Sequence, residues 1–180
     1  MQLICIRHGA AEGNVEGRFL GHSNPPLTEE GIEHAHRAAE KLKEYNLKAI
    51  YCSDLLRSHQ TAEIVHQDHD CALIVNETLR ESNHGVLDGL IGDELETHPD
   101  FIARAQDKYH FRPTGGESYA DVEKRLRPFF EELKMLYDEN EQVLIVSHMG
   151  VMRVIRKIFT NCTPEEATAV KFGHDDVLIF

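Results

Sequence analysis

Five short apolar runs recur along the chain, Leu-Ile-Cys-Ile-Arg (3–7), Ala-Ile-Tyr-Cys-Ser (49–53), Ala-Leu-Ile-Val (72–75), Val-Leu-Ile-Val-Ser-His (143–148) and Val-Leu-Ile-Phe (177–180). They are rich in β-branched residues and alternate little, the pattern of strands buried on both faces. Between them the apolar positions fall at helical spacing. Thr28 caps a predicted helix over 29–45, with Glu29 and Glu30 in its first turn and a stripe of Ile32, Ala35, Ala39 and Leu42. Further helices are predicted over 55–67, from Ser118, where Ser-Tyr-Ala-Asp makes a capping box, and over 151–159. Pro128 falls inside the third and predicts a kink or a division there. Strands alternating with helices predict an α/β fold with a mostly parallel sheet covered on both faces. Residues 76–117, rich in Gly, His and Pro, read as a long excursion that folds back over one rim of the sheet.

Composition narrows the setting. A length of 180 residues favours one domain over 1–180 with a sizeable core. Nineteen Lys and Arg against 31 Asp and Glu give a net charge of −12, which argues against nucleic acid or an anionic membrane as a partner. An anionic ligand therefore needs a local positive site. No run approaches the length of a membrane span and no signal core opens the chain, so a cytoplasmic location is expected. Cys5, Cys52, Cys71 and Cys162 are scattered without a paired motif and read as reduced thiols.

The strand exits carry the chemistry. The first run ends in Arg7-His8-Gly9, the second leads through Ser53-Asp54 to a helix bearing Arg57, and the fourth ends in Ser147-His148. A parallel sheet sets equivalent strand ends side by side, and ligands gather beyond the carboxyl ends. Two arginines would grip phosphate oxygens with their planar forks and spread the charge of a transferring phosphoryl group. A neutral His8 would attack phosphorus, a protonated His148 would stabilise the equatorial oxygens, and Glu81, in the excursion, would act as proton donor and then acceptor. No metal or other cofactor is required.

The ordered motifs "IRHGAAEGN" (6–14), "PLTEEG" (26–31), "YCSDLLRSHQTA" (51–62), "LRESNHGVLDG" (79–89), "GGES" (115–118) and "VSHMGVMR" (146–153) resemble the histidine phosphatase superfamily, also called phosphoglycerate mutase-like, over nearly the whole chain. The resemblance implies a three-layer α/β/α domain and metal-independent chemistry. It implies His8 as the phosphorylated residue, Arg7, Arg57 and His148 as the phosphate pocket, Glu81 as acid and base, and Asn14 as a further phosphate contact. Ala10 and Ala11 stand where acidic and hydroxyl residues often follow the first motif, Met149 replaces a common glycine, and Asn24 replaces a usual Asp.

Other features have plainer readings. Arg125 and Arg127 read as an exposed helix face, and His34 and His36 as solvated. His66, His69 and Cys71 lie close in sequence, but no second cluster completes a zinc spacing. The expected function is a phosphomonoesterase acting on a small phosphorylated metabolite through a phosphohistidine. A mutase primed by a bisphosphorylated compound and a non-catalytic phospholigand-binding module remain as alternatives, and oligomeric state is open.

Overall fold

The computed structural model describes residues 1–180. Its five strands, β1 (Gln2–Arg7), β2 (Leu47–Cys52), β3 (Ala72–Val75), β4 (Gln142–Ser147) and β5 (Val177–Ile179), form one sheet in the order β3-β2-β4-β1-β5. All neighbours pair in parallel except β5, which runs antiparallel to β1 at one edge. Eight helices accompany it: α1 (Glu12–Val15), α2 (Glu29–Leu42), α3 (Leu56–His66), α4 (Gly92–Glu96), α5 (Pro99–Gln106), α6 (Tyr119–Leu136), α7 (Met149–Thr160) and α8 (Pro164–Ala169).

Side chains of the three central strands alternate between two cores, as strand geometry requires. Leu3, Cys5, Tyr51 and Ile145 pack with Leu126, Phe130, Val151 and Ile155 of α6 and α7. Ile4, Ile6, Ile50 and Val146 pack on the other face with Ala38, Leu42, Ala62 and Val65 of α2 and α3. This is the three-layer α/β/α arrangement expected. Burial on both faces holds for the central strands but not for β3, an edge strand whose Ala72 and Val75 are exposed.

Three local expectations are corrected. Ile32 is exposed; the buried face of α2 is made by Gly31, Ala35, Ala38, Ala39 and Leu42, one position round from the predicted stripe. Helix α6 continues through Pro128, so of the kink or division expected there the division does not occur. Pro128 and Lys124, whose carbonyl loses its donor, both lie on the exposed side of the helix, where the lost bond costs least. His34 is not solvated: its ring stacks on His174 with centroids 4.9 Å apart, and its Nδ1 accepts a long bond from the Ala10 N–H at 3.5 Å. No helix is long and apolar enough to cross a membrane.

Candidate active site

Strand register brings the two histidines together. Arg7 of β1 pairs with Ser147 of β4, so His8 and His148 leave neighbouring strands at one level, and the His8 N–H donates to the Ser147 carbonyl at 2.9 Å. The turn after β1 then runs against the start of α2. A Cβ on Gly9 would lie 2.1 Å from the Gly31 carbonyl oxygen, and one on Gly31 would lie 1.9 Å from that of Ala10, so both positions require glycine. The Gly9 N–H also donates to Thr61 Oγ1 at 3.0 Å, fixing the turn to α3, which carries Arg57.

His8 is buried, its ring centroid 5.0 Å from that of His148. His8 Nδ1 lies 2.6 Å from the Gly9 carbonyl oxygen, an acceptor only, which assigns the ring proton to Nδ1 and leaves the Nε2 lone pair bare. Burial, reinforced by the charges of Arg57 and Arg7, holds the His8 pKa well below its ordinary value, so the ring is neutral. The same causes act on His148, burial first, then Arg57 and His8. His148 in the protein alone is therefore neutral, against the expectation of a protonated ring, because it lies wholly buried among positive charges. Its Nε2 bonds Ser53 Oγ at 2.7 Å, and its buried Nδ1 has no partner.

Arg57 is a fully buried guanidinium. Nη1 donates to the Ser23 carbonyl at 2.7 Å and Nη2 to that of Gly21 at 2.8 Å, while Nε is unpartnered. Burial lowers its pKa to about 10, with Glu81 and Asp88 opposing, so it stays cationic near neutrality. Asp88 holds the two carbonyls in place by accepting the N–H groups of Gly21 at 2.8 Å and Ser23 at 2.7 Å. Arg7 donates to the Phe172 carbonyl at 3.2 Å and likewise keeps a buried, unpartnered Nε.

Glu81 is buried against the first turn of α7. Its Oε1 accepts the Ser82 N–H at 2.8 Å and its Oε2 the Gly150 N–H at 3.0 Å. The segment carrying it is clamped from behind by Arg125, which donates to the carbonyls of Thr78, Arg80 and Glu81 and pairs with Glu117 at 3.1 Å. This overturns the reading of Arg125 as an exposed charge: a guanidinium has enough donors to tie three carbonyls of one turn and a carboxylate at once. Arg127, by contrast, stays exposed with Glu123.

Arg7, His8, Asn14, Arg57 and Glu81 line one pocket of about 180 Å³, and His148 lies buried directly behind it. All six residues singled out from the sequence are thus brought together. Asn14 has a second task, its Oδ1 accepting the Ala11 N–H at 3.2 Å. Sequence reasoning missed Arg18, His84, Arg104, Tyr119 and Arg153, which also line the pocket. Arg153 lay inside a quoted motif, five residues after His148, where one and a half helical turns could have suggested it. Arg104 and His84 belong to the excursion, where no periodicity announces direction. His66 Nε2 bonds the Cys71 carbonyl at 2.7 Å.

Comparison with known proteins gives a consistent set. The family model described as histidine phosphatase superfamily (branch 1) matches residues 3–179. Phosphoserine phosphatase 1 of Hydrogenobacter thermophilus is 32% identical over 157 residues, covering 86% of this chain and 74% of its own. Fructose-2,6-bisphosphatase of Saccharomyces cerevisiae is 37% identical over 167 residues, covering 89% of this chain but only 34% of its own, so the chain spans about a third of that relative. Among solved structures, a mycobacterial glucosyl-3-phosphoglycerate phosphatase in complex with VO3 superposes with a TM-score of 0.90 at 27% identity, covering 99% of this chain and 90% of that one. The α-ribazole phosphatase of Shigella flexneri gives 0.89 at 28% identity, covering 99% and 89%.

Proposed function

The chain belongs to the histidine phosphatase superfamily and is a phosphatase-type hydrolase of that superfamily; we propose that it hydrolyses a small phosphate monoester through a phosphohistidine on His8, as one catalytic domain that needs no metal. The observation that carries this reading is the state of His8: a neutral ring tied through Nδ1 to the Gly9 carbonyl, with a bare Nε2, in the pocket that Arg7, Arg57 and Glu81 also line.

In the first step Nε2 of His8 attacks phosphorus and the ester P–O bond breaks. Arg7 and Arg57 bind the non-bridging oxygens with donors already oriented by the Phe172, Gly21 and Ser23 carbonyls, so little reorganisation is needed as charge redistributes. The unpartnered Nδ1 of His148 supplies a further donor, because the Ser53 hydroxyl proton can serve Nε2 and leave the ring proton on Nδ1. Asn14 adds an amide contact. The proton that the departing alkoxide needs comes from Glu81. Glu81, now ionised, takes a proton from water, whose oxygen attacks phosphorus; the P–N bond breaks, phosphate leaves and neutral His8 is restored.

Inorganic phosphate release from a panel of sugar, amino-acid and nucleotide phosphates, in EDTA and without a bisphosphorylated primer, tests the function. Turnover that survives the chelator is expected. Dependence on a primer would replace the reading with a mutase, and no release from any ester would overturn it.

The pH profile follows from His8. Its reactive form is neutral, and its pKa lies well below 6.5, so the nucleophile persists as pH falls through 6.5 and is lost only at clearly lower pH. We expect kcat/KM, corrected for separately titrated substrate ionisation, to show no loss of activity as pH falls through 6.5; a loss there contradicts the assignment. Arg125 acts through Glu81 as a positioning residue. Arg125→Ala is expected to lower kcat by about 10- to 100-fold with KM changed far less, and Arg125→Lys to recover little, since a single ammonium cannot span three carbonyls. Steady-state kinetics of both variants check this.

A further inference from the structure

Two peptide units make the turn that presents His8, and side chains from elsewhere in the chain hold both. The unit joining His8 to Gly9 is planar, so bonds at its two ends fix its orientation. Its N–H donates to Thr61 Oγ1 at 3.0 Å, and its carbonyl accepts from His174 Nδ1 at 2.6 Å. The next unit, joining Gly9 to Ala10, accepts from His8 Nδ1 through its carbonyl and donates its N–H, over a long 3.5 Å, to His34 Nδ1. The His174 ring stacks on that of His34 with centroids 4.9 Å apart and lies 5.8 Å from that of His8. One stacked pair of imidazoles therefore reaches both peptides, His174 donating to the first and His34 accepting from the second.

The segment that carries His174 is anchored for this task. The ladder between β1 and β5 ends at Ile6 and Val177, so the His8 carbonyl lies beyond the last strand pair and a side chain serves it instead. Phe172 is buried in the core, the Gly173 N–H donates to Asp176 Oδ2 at 2.7 Å, and Lys41 Nζ donates to the Asp175 carbonyl at 2.7 Å. A carbonyl only accepts, which puts the His174 proton on Nδ1. Burial, with the charge of Arg7, lowers the His174 pKa to about 4, so the ring is neutral near neutral pH. Neither His174 nor His34 lines the pocket, so both act on the reaction only through the His8 turn.

We propose that His174 is a positioning residue: backed by His34, it fixes the His8–Gly9 peptide and, through it, the Gly9 carbonyl that keeps the His8 proton on Nδ1 and Nε2 free to meet phosphorus. This deepens the phosphohistidine reading and rests on it. A reacting atom misplaced by about 1 Å costs about 10²-fold in rate, so loss of the donor acts on kcat. His174→Phe keeps a ring that can stack and has no donor, His174→Ala removes both, and His174→Asn keeps a side-chain N–H without the ring. His174→Phe and His174→Ala are each expected to lower kcat by about 10- to 100-fold with KM changed by less than about threefold, and His174→Asn to stay within about threefold of wild type in both. Because Phe and Ala perturb packing in opposite ways, a loss common to the two belongs to the missing donor.

The deciding experiment needs no substrate. In protein labelled with [15N]histidine, long-range 1H–15N correlations at neutral pH show which ring nitrogen of His8 bears the proton, the His8 signals being those absent from His8→Ala. Wild type and His174→Asn are expected to hold the Nδ1–H form alone, and His174→Phe and His174→Ala to show the Nε2–H form at about a tenth of the population or more. A His8 that keeps the wild-type form in both the Phe and Ala variants would overturn the inference, as would an Asn variant that behaves like them or an unchanged kcat in both. Unshifted tautomers with normal turnover remove the positioning role and keep the phosphatase, whereas shifted tautomers in a protein that releases phosphate from no ester keep the clamp on His8 and remove the phosphatase.

Discussion

His8→Ala is expected to lower kcat/KM by about 10⁴-fold or more for every phosphate ester the protein turns over. The size of the effect follows from the role: without Nε2 there is no group to take the phosphoryl, and the neighbouring imidazole of His148 is occupied through its own Nε2 by Ser53. The fold should survive, because the His8 side chain makes its one hydrogen bond to the adjacent Gly9 carbonyl, while the loop is held by backbone bonds to Ser147 and Thr61. Circular dichroism and a thermal melt close to wild type, together with the lost turnover, are the expected pair of results. A variant retaining activity within tenfold of wild type would remove His8 from the mechanism.

Glu81→Gln is expected to separate substrates by their leaving groups. An alkyl phosphate needs its departing oxygen protonated, so kcat/KM should fall by about 10²- to 10⁴-fold. With p-nitrophenyl phosphate the departing oxygen needs no proton, and kcat/KM should fall by less than about tenfold. Water must still be activated to clear the phosphoenzyme, so kcat for the aryl ester should drop and a burst of p-nitrophenolate should precede the slow steady state. Gly150→Ala should follow the same pattern, since its Cβ would lie 2.3 Å from Glu81 Oε1 and displace the carboxyl. Equal losses on aryl and alkyl esters in both variants would show that Glu81 is not the proton donor.

Much of this was legible in the chain because the fold obeys short-range rules. Continuous apolar runs marked the strands, and the parallel arrangement then forced Arg7-His8 and Ser147-His148 to one rim, whatever their separation in sequence. The capping box likewise placed the start of α6 at Ser118. What escaped were properties of partners rather than of patterns. Arg125 looks like any charge on an amphipathic helix until the carbonyls of Thr78, Arg80 and Glu81 arrive against it from a segment without periodicity. Ile32 obeys the helical spacing but loses its place to Gly31, which the close approach of Ala10 requires on the buried side. His148 looked suited to a positive charge, and only the sum of complete burial with Arg57 and His8 beside it shows a neutral ring. Arg104 and Tyr119 lie far apart in local pattern and meet only because the excursion after β3 returns over the sheet.

The central claim is that His8 carries the phosphoryl group. The most direct test mixes Glu81→Gln protein with p-nitrophenyl [32P]phosphate, quenches in alkali where phosphohistidine endures, and maps the labelled peptide. The account predicts a near-stoichiometric label on the peptide containing Arg7-His8-Gly9, appearing with the burst of p-nitrophenolate. A burst or steady turnover with no label on the protein, or with the label on any residue other than His8, would contradict it.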